Sequence, residues 1–358
     1  MKLTIRRQII LNGQPITSDE IGFIVSEMNT SLCIPGWEKE LYLFLNEWFS
    51  DSDFILAKSS GSTGEPKQIK LPKSLIRKSA ERTIQYFGLQ KNDRLLLSLP
   101  CRYIAGKMMV VRAIIGHMNL ITVDPSGNFD LLFHEKFDFG AMVPNQVFML
   151  LEQVSGMEKL QNIRNLLVGG TAISATLEAR IRQLSNRVVS TYGMTETASH
   201  IAIRELSGKR KSEYYQCLPG ISVGLNDSKC LQIKLPESDN FLQTNDLAEL
   251  QSATSFKILG RADSVIISGG IKYSPEVLEK KLEGMINQRF LISSVPDERL
   301  GEKLVLVIEG NCFDTNLLEQ KLSAILAPFE QPKLIIFQDK FQETTTGKLN
   351  REKVKKTL

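Results

Sequence analysis

Apolar residues along the 358-residue chain come in short runs whose spacing switches between two periods. Residues 3–17 (LTIRRQIILNGQPIT) read as a short strand or hairpin. Residues 37–49 (WEKELYLFLNEWF) repeat apolar positions three and four apart, which predicts an amphipathic helix. Residues 54–71 (FILAKSSGSTGEPKQIKL) read as strand, Gly-rich turn and strand, and residues 74–89 as a helix. Two short apolar strands, 93–100 (DRLLLSLP) and 118–124 (MNLITVD), flank a helix around 106–116 (GKMMVVRAIIG). Further on, 165–174 (NLLVGGTAIS) passes from a buried strand through a glycine pair into a helix, and 187–199 (RVVSTYGMTETAS) is again strand then turn. Strands alternating with helices predict a mostly parallel sheet covered on its faces, an α/β fold.

After about Lys209 the texture changes to shorter strands and polar turns, which predicts a small β subdomain. From residue 258 onward, strands and helices form a unit of roughly a hundred residues, enough for an independent α+β domain. Ser274, Pro275 and Glu276 mark a helix start, with Leu278, Leu282 and Met285 on one face. The expected division is a large N-terminal domain over residues 1–260, layered sheets and helices with the β subdomain, and a small C-terminal domain over 261–358.

Composition narrows the function classes. A net charge of +4, from 44 basic and 40 acidic residues, is too even to demand nucleic acid as a partner. Five scattered cysteines without a CxxC give neither a disulfide framework nor a zinc site, and imply reduced thiols in a cytoplasmic protein. The chain has no run of about 18 apolar residues, so no membrane span is expected.

Several segments carry candidate chemistry. In 59–67 (SSGSTGEPK), Gly61 and Gly64 let backbone amides turn inward. Ser59, Ser60, Ser62 and Thr63 offer hydroxyls and Lys67 a mobile charge; this is either a phosphate grip or a solvent loop, and it is not Walker A. Glu196, in STYGMTETAS, is compatible with phosphate only if a cation such as Mg²⁺ lies between them; otherwise it is a solvated acid. Tyr192 is either a stacking face for a base or a core tyrosine. Asp246 and Arg261 suit ribose hydroxyls, or form a surface ion pair. The paired Gly269 and Gly270 before Lys272, and Lys348 after Gly347 in TTTGKLNRE, read alone as a structural turn and a solvated charge.

Taken in order, SSGSTGEPK, YGMTE, TND, GRADSVIISGGIKYSPEVLE and TTTGKLNR resemble the motifs of the adenylate-forming superfamily of acyl-CoA synthetases, adenylation domains and luciferases, over residues 54–351. The resemblance implies an enzyme in which a carboxylate attacks the α-phosphate of ATP, giving an acyl-adenylate and pyrophosphate, before a thiol, here coenzyme A, takes the acyl group. By matching position, Ser59 to Gly64 and Lys67 would grip the β- and γ-phosphates and Glu196 would hold Mg²⁺. Gly169, Gly170, Thr171, Tyr192 and Gly193 would frame the adenine, Thr195 would reach the α-phosphate, and Asp246 with Arg261 would take the ribose. Lys348 would bridge the attacking carboxylate and ATP. Asp263 would be the hinge of a mobile C-terminal domain, and Gly269, Gly270 and Lys272 the face shown to CoA.

Within the superfamily, LPCRYIAGKMMVVRAI and GMTETASHIA are similar to o-succinylbenzoate–CoA ligases of menaquinone biosynthesis. That similarity implies Arg102, Tyr103 and Lys107 near substrate or CoA; Thr197, Ser199 and His200, just past the adenylate motif, are by position candidate partners for a second carboxylate, with His200 alternatively an ordinary polar lining residue. Tyr103 stands where many relatives carry histidine, Asn245 replaces a glycine, and Gln68 follows Lys67 where glycine is usual. Only about sixty residues precede the phosphate loop, short for the family. The alternatives are another small-acid CoA ligase, a carrier-loading adenylation enzyme, or an ATP-binding regulator without catalysis; a homodimer is compatible with all of them.

Overall fold

The computed structural model describes residues 7–28, 33–58, 68–127, 129, 134–208, 211–312, 315–343 and 349–358. They form two compact units, Met1–Ile173 with Leu177–Ile221, and Ser174–Thr176 with Ser222–Leu358.

The first unit contains strands β1 (Gln8–Leu11), β2 (Gln14–Thr17), β3 (Phe54–Lys58), β4 (Gln68–Pro72), β5 (Arg94–Leu97), β6 (Asn119–Thr122), β7 (Phe137–Met142), β8 (Ile163–Val168), β9 (Arg187–Gly193), β10 (His200–Glu205) and β11 (Tyr215–Cys217). Its helices are α1 (Ser18–Glu27), α2 (Gly36–Phe49), α3 (Lys73–Phe87), α4 (Ile104–Gly116), α5 (Pro144–Leu151), α6 (Gly156–Gln161) and α7 (Ala175–Ile181). The main sheet runs β11-β10-β9-β8-β7-β5-β6-β1-β2. Strands β5 to β9 are mutually parallel as the alternation predicts, while β2, β10 and β11 are antiparallel additions. Chain order reverses between β5 and β7, so the carboxyl ends of β5, β7, β8 and β9 meet at a switch point, where doubly wound sheets bind ligands.

The central strands are apolar on both faces because helices cover them. Leu96, Met142, Val147, Leu150, Leu166 and Val188 share one buried cluster. Helix α4 is buried all round from Gly106 to Ala113, yet carries two cations. Lys107 is answered: its ammonium donates to Glu47 (3.1 Å) and to the Leu56 carbonyl (2.7 Å), while the Leu56 N–H donates to Glu47 (2.6 Å). This clamp ties α2 and α4 to β3, whose two-stranded ribbon with β4 flanks residues 59–67, outside the described residues. Arg112 is the second cation.

The second unit begins with an antiparallel sheet of β12 (Ser222–Leu225), β13 (Cys230–Lys234), β14 (Phe241–Ser252) and β15 (Ser255–Arg261); this β subdomain, placed by the sequence pattern within residues 1–260, groups here with the residues that follow it. Then follow β16 (Ile266–Ser268), β17 (Ile271–Tyr273), α8 (Pro275–Leu282), β18 (Phe290–Asp297), β19 (Gly301–Glu309), α9 (Asn316–Ile325), β20 (Leu334–Gln338) and α10 (Arg351–Lys355). Strands β17-β16-β19-β18 form a second sheet with β20 parallel to β19. Leu278 and Leu282 pack into its core as the helix pattern predicts, and Met285 joins them from beyond the helix end. Ser274 precedes Pro275 as expected, but its hydroxyl donates to the Leu259 carbonyl (3.1 Å) instead of accepting from the helix amides.

Candidate active site

In the first unit, residues at the ends of β8 and β9 converge. Gly169 donates its N–H to the Met142 carbonyl (3.1 Å), Gly170 and Thr171 continue exposed beyond it, and Tyr192 ends β9 half-buried. Gly193 has no room for a side chain: a Cβ there would collide with the Ser199 carbonyl and sit 2.6 Å from His200 Cα. Gly193→Ala is therefore expected to displace the turn that follows, costing about 1–3 kcal/mol. A denaturant midpoint unchanged from the parent would contradict that packing argument.

That turn is residues 195–197, a single 3₁₀ turn against which β4 packs. Thr195 is buried and Glu196 exposed. The Thr197 hydroxyl accepts from the Met194 N–H (3.0 Å) and lies 2.7 Å from the Ser199 carbonyl, so it is committed to holding the turn. Ala198 closes it at φ +60°, uncommon for a residue with a side chain.

Beyond the turn runs a buried polar chain with one self-consistent direction. Arg112 donates to the Ser199 hydroxyl (2.6 Å), which stands 3.2 Å from His200 Nδ1; His200 Nε2 stands 3.5 Å from the Thr83 hydroxyl, which donates to the Ser79 carbonyl (3.1 Å). With its oxygen occupied by Arg112, Ser199 donates to Nδ1, leaving Nε2 the protonated nitrogen that faces Thr83. Burial, then the charges of Arg112 and Arg82, hold the His200 imidazole well below its ordinary range, so it is neutral at pH 7.

This has a sign in acid. Above about pH 6.5 His200 is neutral both folded and unfolded. Below that value the unfolded chain takes up a proton the folded chain refuses, so stability falls by up to about 1.4 kcal/mol per pH unit until the lower folded value is reached. Unfolding titrations between pH 7.5 and 5.5 should show this loss in the parent and a smaller one in His200→Gln; equal slopes would contradict it.

Arg112 is only 2% exposed, and its Nε has no hydrogen-bond partner. Among the described residues no carboxylate offsets its burial, which alone pushes it down to about 9, so it is a cation at neutral pH. Sequence reasoning passed over this residue. Its signal was an arginine inside the otherwise apolar stretch MMVVRAII.

Of the other expected substrate contacts, Arg102 is exposed, pairs with Glu40 (2.9 Å) and stacks over Tyr103 (5.0 Å), while Lys107 is bound internally by the clamp described above. In the second unit, the β14–β15 register sets Asp246 opposite Arg261, whose Nη1 lies 3.3 Å from Oδ1. The same guanidinium grips Asp263 (2.8 and 2.6 Å) and thereby holds that carboxyl below the usual carboxylate range. Gly269 (φ +58°) and Gly270 (φ +81°) form the two-residue turn joining β16 to β17, a type I′ geometry that favours glycine at both positions, and Lys272 is exposed beside it. Ser59, Ser60, Gly61, Ser62, Thr63, Gly64, Lys67 and Lys348 lie outside the described residues.

Among the described residues no cluster of three or more histidine, cysteine or acidic side chains is placed to hold a metal ion, and no helix is long and apolar enough to cross a membrane. All five cysteines are free.

The AMP-binding enzyme profile matches residues 51–233, more than half the chain, and the chain belongs to that family. It is 23% identical over 323 residues to 2-succinylbenzoate–CoA ligase of Lactococcus lactis, covering 84% of this chain and 70% of the relative. It is 32% identical, at a TM-score of 0.60, to the acyl-CoA synthetase (AMP-forming)/AMP-acid ligase II-like protein of Dyadobacter fermentans, covering 93% of this chain and 97% of that one. The o-succinylbenzoate CoA synthetase of Bacillus subtilis, solved with its acyl-adenylate intermediate, shares the fold at a TM-score of 0.77 and 18% identity over 99% of this chain and 96% of that one.

Proposed function

We propose that the chain ligates o-succinylbenzoate to coenzyme A through an acyl-adenylate, as a cytoplasmic enzyme of menaquinone biosynthesis. The observation that carries the substrate assignment is Arg112, a buried cation that no acid answers among the described residues, beside the family's adenylate turn. Burying an unpaired charge costs several kcal/mol, which a fold retains where a ligand supplies the missing charge. A monocarboxylic acid spends its one carboxylate on ATP. An acid with a second carboxylate, as the relatives' name describes, has one left for Arg112, with Ser199 and His200 as neutral neighbours.

In the first step the aliphatic carboxylate attacks the α-phosphorus of ATP, the bond to the β,γ-pyrophosphate breaks, and a mixed anhydride with AMP forms. Tyr192 stacks on the adenine framed by Gly169, Gly170 and Thr171. Asp246 accepts from the ribose hydroxyls while Arg261 donates to them, and Thr195 and Lys348 stabilise charge on the reacting oxygens. Glu196, exposed at the turn, would hold a Mg²⁺ ion, which would supply charge neutralisation on the ATP phosphates. In the second step the CoA thiolate attacks the acyl carbon and AMP leaves. The C-terminal domain, 261–358, turns about Asp263 between steps and presents Gly269, Gly270 and Lys272.

The test is ATP–pyrophosphate exchange with purified protein and a panel of aromatic and aliphatic acids. Exchange selective for o-succinylbenzoate is expected. Selectivity for a monocarboxylic acid would overturn the substrate, and ATP binding without exchange on any acid would point to a regulator.

A further inference from the structure

The AMP-binding site carries a residue that the motifs do not name. Tyr215, on β11, is half-buried with its ring and hydroxyl held from three sides: its hydroxyl is 2.9 Å from Ser190 Oγ, the Arg204 guanidinium lies over its ring at 5.8 Å, and its ring packs against Tyr192 at 5.8 Å and 57°. Arg204 does not move freely. It donates to both oxygens of Glu178 on α7 (3.0 and 2.8 Å), in a pair whose side chains are each 13% exposed. Burial alone would raise the Glu178 carboxyl, yet hydrogen bonds and charge from Arg204 and Arg182 hold it below its ordinary value.

The order of contacts is therefore Glu178, Arg204, Tyr215, Tyr192, spanning α7, β10, β11 and β9 within one unit. A tyrosine that merely filled space would need only apolar neighbours. This one is fixed at its hydroxyl by Ser190, which sits two residues before Tyr192 on the same strand and faces the same side of the sheet. The aromatic contact restricts the orientations open to the Tyr192 ring, so less freedom is lost when a flat ligand stacks on it.

We infer that Tyr215 is a positioning residue for nucleotide binding: anchored by Ser190 and the Arg204–Glu178 pair, it presets the Tyr192 ring to receive the adenine. The inference rests on the assignment of Tyr192 to the base. It concerns the base and not the phosphates, which gives it a signature of its own.

The experiment is calorimetric binding of Mg·ATP and, separately, of Mg·pyrophosphate to the full chain and to Tyr215→Phe and Tyr215→Leu, with thermal midpoints recorded. ATP affinity is expected to fall about tenfold in Tyr215→Leu and by a few-fold in Tyr215→Phe, which keeps the ring but loses the anchor, while pyrophosphate affinity is unchanged in both. ATP affinity at the parent's value in Tyr215→Leu would overturn the inference. So would parallel losses for ATP and pyrophosphate with a lowered midpoint, the mark of a packing role alone. If Tyr215→Leu does not fold, Tyr215→Phe decides by the same split. Parent protein that binds pyrophosphate but not ATP would instead sink the nucleotide reading on which the inference stands.

Discussion

Lys348→Ala is expected to lower ATP–pyrophosphate exchange by about a hundredfold to a thousandfold while leaving the transfer of an acyl group from supplied adenylate to CoA near the parent rate. The first step puts a second negative group against the α-phosphate of a polyanion, so a cation placed between carboxylate and phosphate stabilises the transition state more than the ground state. Removing one such preorganised group typically costs about 3–4 kcal/mol. The second step begins from a mixed anhydride that is already activated, and has no comparable need of that charge. A structural role for the lysine would depress both half-reactions together. Equal losses in exchange and transfer would therefore remove Lys348 from the chemistry.

Arg112→Met is expected to raise KM for o-succinylbenzoate roughly a hundredfold, about 3 kcal/mol, with little change in KM for ATP. The methionine keeps much of the volume of the buried guanidinium and its stem but offers a second carboxylate nothing. Stability should be unchanged or higher, because an unpaired buried cation is replaced by an apolar group. An acid carrying a single carboxylate should be accepted as well as before, or better. Steady-state kinetics with the two kinds of acid, alongside a denaturant midpoint, separates the outcomes: a variant that is less stable and equally poor with both acids would make Arg112 a structural residue.

The strand and helix alternation was legible because it depends on spacing within a dozen residues, and the parallel core from β5 to β9 follows from it. What was not legible depends on partners far away in the chain. Lys107 and Arg112 sit five residues apart on one helix and look alike in sequence as buried-helix cations. Glu47, 60 residues before Lys107, answers the first, whereas among the described residues Arg112 meets neutral groups, the Ser199 hydroxyl 87 residues on, the Met109 sulfur and the Phe139 ring. The periodicity of GKMMVVRAIIG says that the helix is buried and is silent on which charge is compensated. Asp246 and Arg261 were readable only as residues fifteen apart, and the β14–β15 register supplies their opposition. Tyr192 stood out through its motif, but nothing in YYQC marked Tyr215, whose importance comes from Ser190 and Arg204. Ser274 was read correctly as the residue before a helix, yet its hydroxyl is drawn to Leu259, a contact fifteen residues back that no local capping rule contains.

The measurement that bears most directly on the whole reading is identification of the product by mass spectrometry after the protein is incubated with Mg·ATP, coenzyme A and equal concentrations of o-succinylbenzoate and a panel of single-carboxylate aromatic acids. o-Succinylbenzoyl-CoA is expected as the dominant thioester, with one AMP formed for each. A thioester of a single-carboxylate acid in its place, or o-succinylbenzoyl-AMP that accumulates and never passes to CoA, would contradict it.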